Sequence, residues 1–309
     1  MKFRTTLNIA PQLDFINPKQ EIVSIGSCFA DSVGNRLKSV GFKAEINPFG
    51  VLFNPYSILK NLKNTINDAV DTDMFLQRDE SSFHYDFHSR INSESEEDLT
   101  RQLNDIQNTL KKQLLAADRL ILTFGSAWVY RHIESNNIVA NCHKIPQVNF
   151  KKELLNLTDL KADYRNFIRD LKTINPKLEV LLTVSPVRHV KDGLHENNLS
   201  KSTLHLLTHY LVESFGFVHY FPAYELIIDD LRDYRFYKED LIHPTNQAVN
   251  YVFEVLSDTY FTPKTKEIIR LKEKLYLLQN HLQIVKSKPD EKLKLKAAEI
   301  QRQIDQLLK

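Results

Sequence analysis

Residues 22–31, with the sequence IVSIGSCFAD, form the stretch from which the fold can be predicted. Residues 21–25 are mostly apolar and β-branched, which is typical of a central strand in a parallel sheet. Gly26 allows a sharp turn and a close approach of the backbone to a ligand. Ser27 then lies between this strand and the next helix, a common position for chemistry in open α/β sheets. Ser27 is therefore a candidate functional residue, or alternatively only the N-cap of that helix.

Strands and helices alternate along most of the remaining chain. The pattern predicts strands at 21–25, 43–46, 119–124, 178–184 and 218–221, and helices at 29–40, 96–117, 161–175, 201–215 and 246–260. Such alternation implies βαβ units and a parallel sheet covered on both faces. We therefore expect an α/β fold, a three-layer α/β/α sandwich over residues 1–262. Residues 56–95 show a weaker pattern and are predicted to be a less regular insertion.

The last segment, residues 263–309, has a different periodicity. Apolar residues recur there at spacings of three and four in two runs, which are Leu271, Leu275, Leu278, Leu282 and Val285, and then Leu293, Ala297, Ile300, Ile304 and Leu307. Residues 286–290 interrupt the two runs. We predict a C-terminal helical hairpin with a coiled-coil-like seam, packed on its own domain or on a second copy in a homodimer. Its excess of basic residues is interpreted as a solvated face.

The bulk composition is that of an ordinary globular protein, with 309 residues of which 42% are hydrophobic and 26% charged. A net charge of +2 gives no reason to expect a nucleic-acid partner. The 2 cysteines imply neither a disulfide framework nor a metal site. The N-terminus does not resemble a signal peptide, and no apolar run is long enough to span a bilayer. A cytoplasmic location is therefore expected.

A base for Ser27 is offered by residues 240–243, DLIH. A serine hydroxyl is a weak nucleophile that needs such a base. Asp240 and His243 are three residues apart, so on one turn both side chains can face the same way. His243 would take the proton of Ser27, and Asp240 would hold the imidazole in the required tautomer. The alternative is that this pair only caps a surface turn.

The combination of these two motifs resembles the SGNH (GDSL-like) hydrolases. Residues 26–30 spell GSCFA, the name motif of the GSCFA family. Further stretches that resemble this family are GSAWVY at 125–130, NCHK at 141–144, TVSPVRH at 183–189 with DG at 192–193, and YRFY at 234–237 leading into DLIHP at 240–244. The resemblance covers roughly residues 1–262 and leaves the helical tail outside. It implies a flavodoxin-like, SGNH-type sheet and ester hydrolysis, with Ser27 as nucleophile, His243 as base and Asp240 as its orienter.

The resemblance also implies an oxyanion hole that includes the backbone N–H groups of Ser27 and Gly50. SGNH enzymes usually carry Gly-x-Asn-Asp after the third strand, with the asparagine side chain as a further donor. Residues 125–128 read GSAW instead. Loss of one such donor costs roughly 3 kcal/mol of transition-state stabilisation. Ser126 is predicted to replace the asparagine, with Asn141 as the second choice.

Four more residues are candidates for substrate binding. Trp128, the only tryptophan, would stack on a sugar or acyl group, or else be a core aromatic. His143 would line the pocket or bond a loop carbonyl. Arg188 and His189 end the predicted fourth strand, where they would bind a polar or anionic substrate or form a structural salt bridge.

The leading hypothesis is a serine esterase or deacylase that needs no metal or organic cofactor. It would act on a small-molecule or glycan ester, and an acetylated carbohydrate is expected by analogy with SGNH relatives. An O-acyltransferase with the same triad is one alternative. A catalytically weak module that binds a carbohydrate or another ligand is the other.

Overall fold

The structure of the protein is a computed structural model that describes residues 4–284 and 291–308. The strands are β1 (Glu21–Gly26), β2 (Lys43–Ile46), β3 (Phe75–Arg78), β4 (Ser81–His84), β5 (Arg119–Phe124), β6 (Trp128–His132), β7 (Ile138–Val139), β8 (Phe150–Leu154), β9 (Glu179–Val184) and β10 (Val218–Tyr220). The helices are α1 (Cys28–Ser39), α2 (Pro55–Ile66), α3 (Glu96–Ala116), α4 (Leu157–Ile174), α5 (Leu194–Ser214), α6 (Ala223–Glu225), α7 (Asn246–Tyr260), α8 (Pro263–Ile284) and α9 (Glu291–Leu308). A π-helical turn, Leu226–Leu231, continues α6.

The central sheet contains five parallel strands in the order β10-β9-β5-β1-β2. If these five strands are renumbered from 1 to 5 in chain order, their order across the sheet is 5-4-3-1-2. This is the flavodoxin-like order. All five correspond to predicted strands. In this topology the direction of strand addition reverses between β1 and β5, so the crevice at their carboxyl ends is where ligands usually bind.

Helices cover both faces of this sheet. Because successive strand residues point to opposite faces, Ile22 and Val23 enter different cores. Val23 belongs to a cluster that includes side chains of α2, α3, α4 and α5. Ile22 belongs to a second cluster with side chains of α1, α6 and α7. The predicted three-layer α/β/α sandwich is therefore confirmed.

Helix α2 falls in a region where the sequence pattern predicts little regular structure. Asn54 caps it, because its Oδ1 accepts a hydrogen bond of 2.7 Å from the backbone N–H of Ser57. Pro55 occupies the first turn, where its missing N–H costs nothing. The helix buries Ile58 and Leu62 completely. Helices α4 and α5 also begin earlier than the predicted positions 161 and 201. Helix α4 begins at Leu157, after its Asn156 cap, and α5 begins with a first turn that is mostly polar.

Two small antiparallel sheets lie outside the central sheet. One is the β3–β4 hairpin, and the other has the order β7-β6-β8. They share a small apolar cluster that consists of Met74, Tyr85, Val139 and Phe150.

The predicted C-terminal helical pair is confirmed as α8 and α9. Its seam is a separate apolar cluster formed by Leu271, Leu275, Ile300 and Ile304. The first turns of α8 also contact the sandwich: Ile269 joins the α1–α7 core, and Arg36 pairs with Glu273 at 2.5 Å. The predicted interruption at 286–290, like Val285, lies outside the described residues. In the part of the chain that the structure describes, no helix has the length and apolarity needed to cross a bilayer.

Candidate active site

Ser27 lies at the carboxyl end of β1, directly before α1. Gly26 has φ +153°, and a Cβ there would lie 2.1 Å from the carbonyl oxygen of Thr123 on β5, so only glycine allows this contact. The N–H of Ser27 donates to the same carbonyl at 3.1 Å. Its Oγ accepts a hydrogen bond of 3.3 Å from the N–H of Phe29, which makes Ser27 the N-cap of α1. Ser27 is only 1% exposed, so its hydroxyl is closed off from solvent.

The loop after β2 is tied to this turn by Asn47. Its Oδ1 accepts a hydrogen bond of 2.7 Å from the N–H of Gly26, and its Nδ2 donates to Asp31 at 2.6 Å. Asn47 is fully buried and has φ 44°, a left-handed conformation that asparagine tolerates. The N–H of Gly50 donates to the Asn47 carbonyl at 2.8 Å. Sequence analysis did not assign this role to Asn47. The Asn-Pro step at 47–48 was the one feature of the sequence that could have drawn attention to this residue.

The segment after β5 packs directly on Ser27. A Cβ placed on Gly125 would lie 3.1 Å from the Cβ of Ser27. The N–H groups of Gly125 and Ser126 both donate to the carbonyl of Phe53, at 2.7 and 2.9 Å. The hydroxyl of Ser126 accepts from the N–H of Trp128 at 3.1 Å and lies 3.3 Å from the hydroxyl of Ser200. Ser126 therefore directly follows the residue that packs against Ser27.

A buried lysine that sequence analysis missed lies beneath these loops. The Nζ of Lys201 donates to the carbonyls of Gly125 and Ser185, at 2.6 and 2.7 Å. No carboxylate among the described residues lies within 4.0 Å of it, and burial lowers its pKa to about 7. Lys201 therefore joins the ends of β5 and β9. The burial of Lys201 could have been predicted from its spacing from Asn197 and Leu204, because that spacing puts all three residues on the buried face of α5.

Asp240 and His243 form a hydrogen-bonded dyad. Nδ1 of His243 lies 2.8 Å from Oδ2 of Asp240, and Oδ1 of Asp240 accepts from the N–H groups of Ile242 and His243 at 2.8 and 2.9 Å. These hydrogen bonds, led by that of the His243 N–H, lower the pKa of Asp240 to about 2. Leu241 has φ 56°, so the dyad lies on a tight turn and not on a helix. The two side chains are 44% and 43% exposed and thus accessible from solvent.

The dyad and Ser27 are not hydrogen-bonded to each other. In the described residues, Nε2 of His243 has no hydrogen-bond partner, and Ser27 bonds only within the β1–α1 turn and to β5. The structure thus brings Asp240 and His243 together and leaves the contact with Ser27 unformed.

Arg188 and His189 connect the end of β9 with the dyad. Nη2 of Arg188 donates to the carbonyl of Leu241 at 2.9 Å, and its guanidinium lies 4.6 Å from the ring centre of Tyr237. The ring of His189 packs edge-on against Phe53 with centres 5.6 Å apart. Burial, with the charge of Lys201, lowers the pKa of His189 to about 4, so this imidazole is neutral at pH 7. Neither residue has a carboxylate within 4.0 Å in the described chain, so no salt bridge of the expected kind forms.

Asn141 and His143 lie in the peripheral region, where both are bonded to Ser89. His143 is buried, with Nε2 2.9 Å from the carbonyl of His84 and Nδ1 3.1 Å from the hydroxyl of Ser89. Burial lowers the pKa of His143 to about 4. The Oδ1 of Asn141 accepts from the N–H of His143 at 2.8 Å. In this structure His143 therefore bonds the backbone carbonyl of His84, the last residue of β4.

Trp128 anchors the start of β6 against α5. Its indole N–H donates to the carbonyl of Glu196 at 3.0 Å, and Nζ of Lys152 lies 4.6 Å from its ring centre. One face of the ring is therefore already covered by a cation.

The strand order and the position of Ser27 define a flavodoxin-like α/β/α sandwich with a serine at the switch point of the sheet. The chain belongs to the GSCFA family, whose family model matches residues 21–256. The match begins at β1 and ends within α7, so it includes Ser27 and the Asp240–His243 dyad but not the C-terminal helical pair. A comparison with curated proteins produced no match.

Proposed function

We propose that this protein is a serine esterase or deacylase that works through Ser27, His243 and Asp240. The observation that carries the proposal is the 2.8 Å contact between the Asp240 carboxylate and Nδ1 of His243. A carboxylate in this position sets the tautomer, so that Nε2 is the nitrogen without a proton and can act as a base. Ser27 supplies the hydroxyl at the switch point of the same sheet.

The proposed reaction proceeds in two steps. Nε2 of His243 takes the proton of Ser27 as Oγ bonds to the acyl carbon, and the same proton then passes to the leaving alcohol as the ester C–O bond breaks. Water next attacks the acyl-enzyme and gives a proton to Nε2, which returns it to Oγ as the carboxylic acid leaves. Asp240 stays ionised throughout and stabilises the imidazolium.

The first step requires a rearrangement, because Ser27 is buried and not bonded to His243. Catalytic hydrogen bonds are often long or absent before substrate binds, so this geometry is compatible with the proposal. The Oγ of Ser27 would exchange its capping bond from Phe29 for a bond to Nε2. The tight turn at 240–243, which is exposed, is the part that would approach.

The oxyanion would be stabilised by a weak set of donors. The N–H groups of Ser27 and Gly50 already donate to the carbonyls of Thr123 and Asn47. Each would have to be shared or released in the transition state. We propose Ser126 as the additional donor because Gly125 packs on Ser27, and Asn141 as the second choice. Such a site is expected to be a slow catalyst, since preorganised donors supply much of the rate in acyl transfer.

The proposed substrate is the ester of a small molecule or glycan, with acetylated carbohydrates first. This class rests on the resemblance to SGNH hydrolases.

Labelling with a fluorophosphonate probe, read by intact mass, tests the proposal. We expect a single adduct on the wild type, no adduct on Ser27→Ala, and labelling at least 100-fold slower on His243→Ala. Matched controls are Ser39→Ala and His209→Ala, which change an exposed serine and an exposed histidine outside the site. Both controls should label at the wild-type rate. A wild type that forms no adduct, or an adduct retained on Ser27→Ala, would contradict the proposal.

The closed position of Ser27 also favours a second candidate, a ligand-binding module with little catalysis. A serine that is 1% exposed and already bonded as a helix cap is poorly placed to attack an ester. This candidate predicts ligand affinity that is unchanged in Ser27→Ala, together with no labelling of the wild type. Measured turnover of any ester that depends on Ser27 would exclude it.

A further inference from the structure

A cavity of about 180 Å³ lies beside the catalytic turn, between the end of β9 and residues 226–237. Its polar lining consists of Arg188, Arg232, Asp233, Tyr234 and Tyr237, with two isoleucines of the π-helical turn as its apolar wall. Pockets for whole drug-sized ligands are usually at least 300 Å³, so this volume suits a single ring-sized group.

The charges of the lining favour an anion. Neither Arg188 nor Arg232 has a carboxylate within 4.0 Å among the residues described. The carboxylate of Asp233 instead caps the N–H of Arg235 at 2.9 Å and lies 3.7 Å from its Nε. Two guanidinium groups thus line one cavity without a carboxylate partner. Such groups match a carboxylate in charge and in geometry.

The remaining lining favours a ring that carries hydroxyl groups. The guanidinium of Arg188 lies 5.6 Å from the ring centre of Tyr234 and 4.6 Å from that of Tyr237, so cation and aromatic rings form one side of the cavity. The tyrosine hydroxyls and the Asp233 carboxylate can accept hydrogen bonds from ligand hydroxyls. A purely apolar carboxylate would make none of these hydrogen bonds.

The cavity is joined to the catalytic turn by direct contacts. Arg188 donates to the carbonyl of Leu241, and Tyr237 forms a β-bridge with Pro244. The N–H of Lys238 donates to the carbonyl of His243 at 2.8 Å. An occupant held by Arg188 and Tyr237 therefore lies against the segment that carries the dyad.

We propose that this cavity binds a carboxylate-bearing sugar ring, that is, a hexuronate. The idea that this hexuronate is the part of the substrate next to the ester rests on the proposed function. The binding of a hexuronate to the cavity does not depend on it.

Binding of D-glucuronate, followed by titration calorimetry or NMR, tests the site. Methyl glucoside lacks the carboxylate, benzoate lacks the hydroxyls, and inorganic phosphate lacks the ring; each should bind at least tenfold more weakly. Arg232→Gln should weaken glucuronate binding at least tenfold, because one charged hydrogen-bonding partner is lost. Arg165→Gln is the matched control, since Arg165 is exposed on α4 and does not line the cavity, and should change affinity less than twofold.

Equal binding of glucuronate and any of the three analogues would overturn the proposal, as would unchanged affinity in Arg232→Gln. Circular dichroism of both variants shows whether they are folded, and Arg232→Lys keeps a charge at the position should Arg232→Gln unfold. The same titration on Ser27→Ala separates the two proposals. Binding without fluorophosphonate labelling would contradict only the esterase, and labelling without binding would contradict only the hexuronate site.

Discussion

Gly125 and Ser27 are in direct contact across the ends of β5 and β1, because a Cβ on Gly125 would lie 3.1 Å from the Cβ of Ser27. That separation is shorter than ordinary contacts, so Gly125→Ala should displace Ser27 by a few tenths of an ångström. We expect labelling of Ser27 at least tenfold slower and a loss of about 1–3 kcal/mol in the free energy of unfolding. Labelling kinetics and urea denaturation measure the two effects.

Gly216→Ala provides the control for this substitution, since a Cβ there would meet no atom within 4 Å. It should label at the wild-type rate. Wild-type labelling of Gly125→Ala would mean that the position of Ser27 does not depend on this contact.

Replacement of Asp240 by asparagine should remove the acceptor that sets the tautomer of His243. We expect Asp240→Asn to label about 10²- to 10⁴-fold more slowly than the wild type. Because hydrogen bonds lower the pKa of Asp240 to about 2, its carboxylate is ionised well below pH 4. The pH profile of wild-type labelling from pH 4 to 9 should therefore contain no step from this residue. Asp258→Asn, at an exposed aspartate on α7, is the control, and an equal slowing there would refute the assignment.

The buried Lys201 should make stability depend on pH. Burial lowers its pKa to about 7 in the folded protein, whereas an unfolded lysine titrates near 10.4. Between these values the unfolded chain binds more protons than the folded one, so the free energy of unfolding rises with pH. In Lys201→Met this contribution is absent, and the Gly125 and Ser185 carbonyls lose their donor, which costs about 2–3 kcal/mol.

Urea denaturation of the wild type and Lys201→Met at pH 7, 8 and 9 measures this effect. The stability difference between them should grow as the pH rises, because only the wild type gains stability from deprotonation of Lys201. A difference that stays constant over this range would show that Lys201 does not titrate there.

The seam between α8 and α9 should depend on Ile304, which is 1% exposed. Ile304→Asp places a carboxylate among Leu271, Leu275 and Ile300, where it has no cationic partner, so α9 should detach. Limited proteolysis should then remove α9 from this variant and leave the sandwich intact. Gln303→Asp, at an exposed position of the same turn, should resist the protease like the wild type. Equal resistance of both variants would contradict the role of the seam.

A homodimer through the C-terminal helices remains a proposal with a direct test. Light scattering of the full chain should give twice the mass of the 36.1 kDa monomer, and deletion of residues 285–309 should halve it. A monomeric mass before and after deletion would refute the dimer and leave the tail as an intramolecular hairpin.

The sequence predicted the elements whose signals are local. Strands β1, β5 and β9 are largely apolar runs, and α3 shows a regular apolar stripe with a serine cap and acidic first turn, so each could be recognised alone. The start of α5 was missed because its first turn is mostly polar, and α2 was missed although Asn54 and Pro55 are local signals for its start. Packing against the sheet decides these segments, as the buried Ile58 and Leu62 of α2 show.

For the candidate site, the sequence by itself determined that a serine follows the first strand and that Asp240 and His243 lie three residues apart. Both are short-range patterns, and Gly26 fixes the turn through its own φ angle. Tertiary structure alone decided that Asn47 binds the Gly26 N–H and that Lys201 joins the carbonyls of Gly125 and Ser185. It also decided that Ser27 is buried and that its side chain is not hydrogen-bonded to His243. These relationships join residues far apart in the chain, and a buried polar group finds its partners only when the packed strands bring them within hydrogen-bond distance.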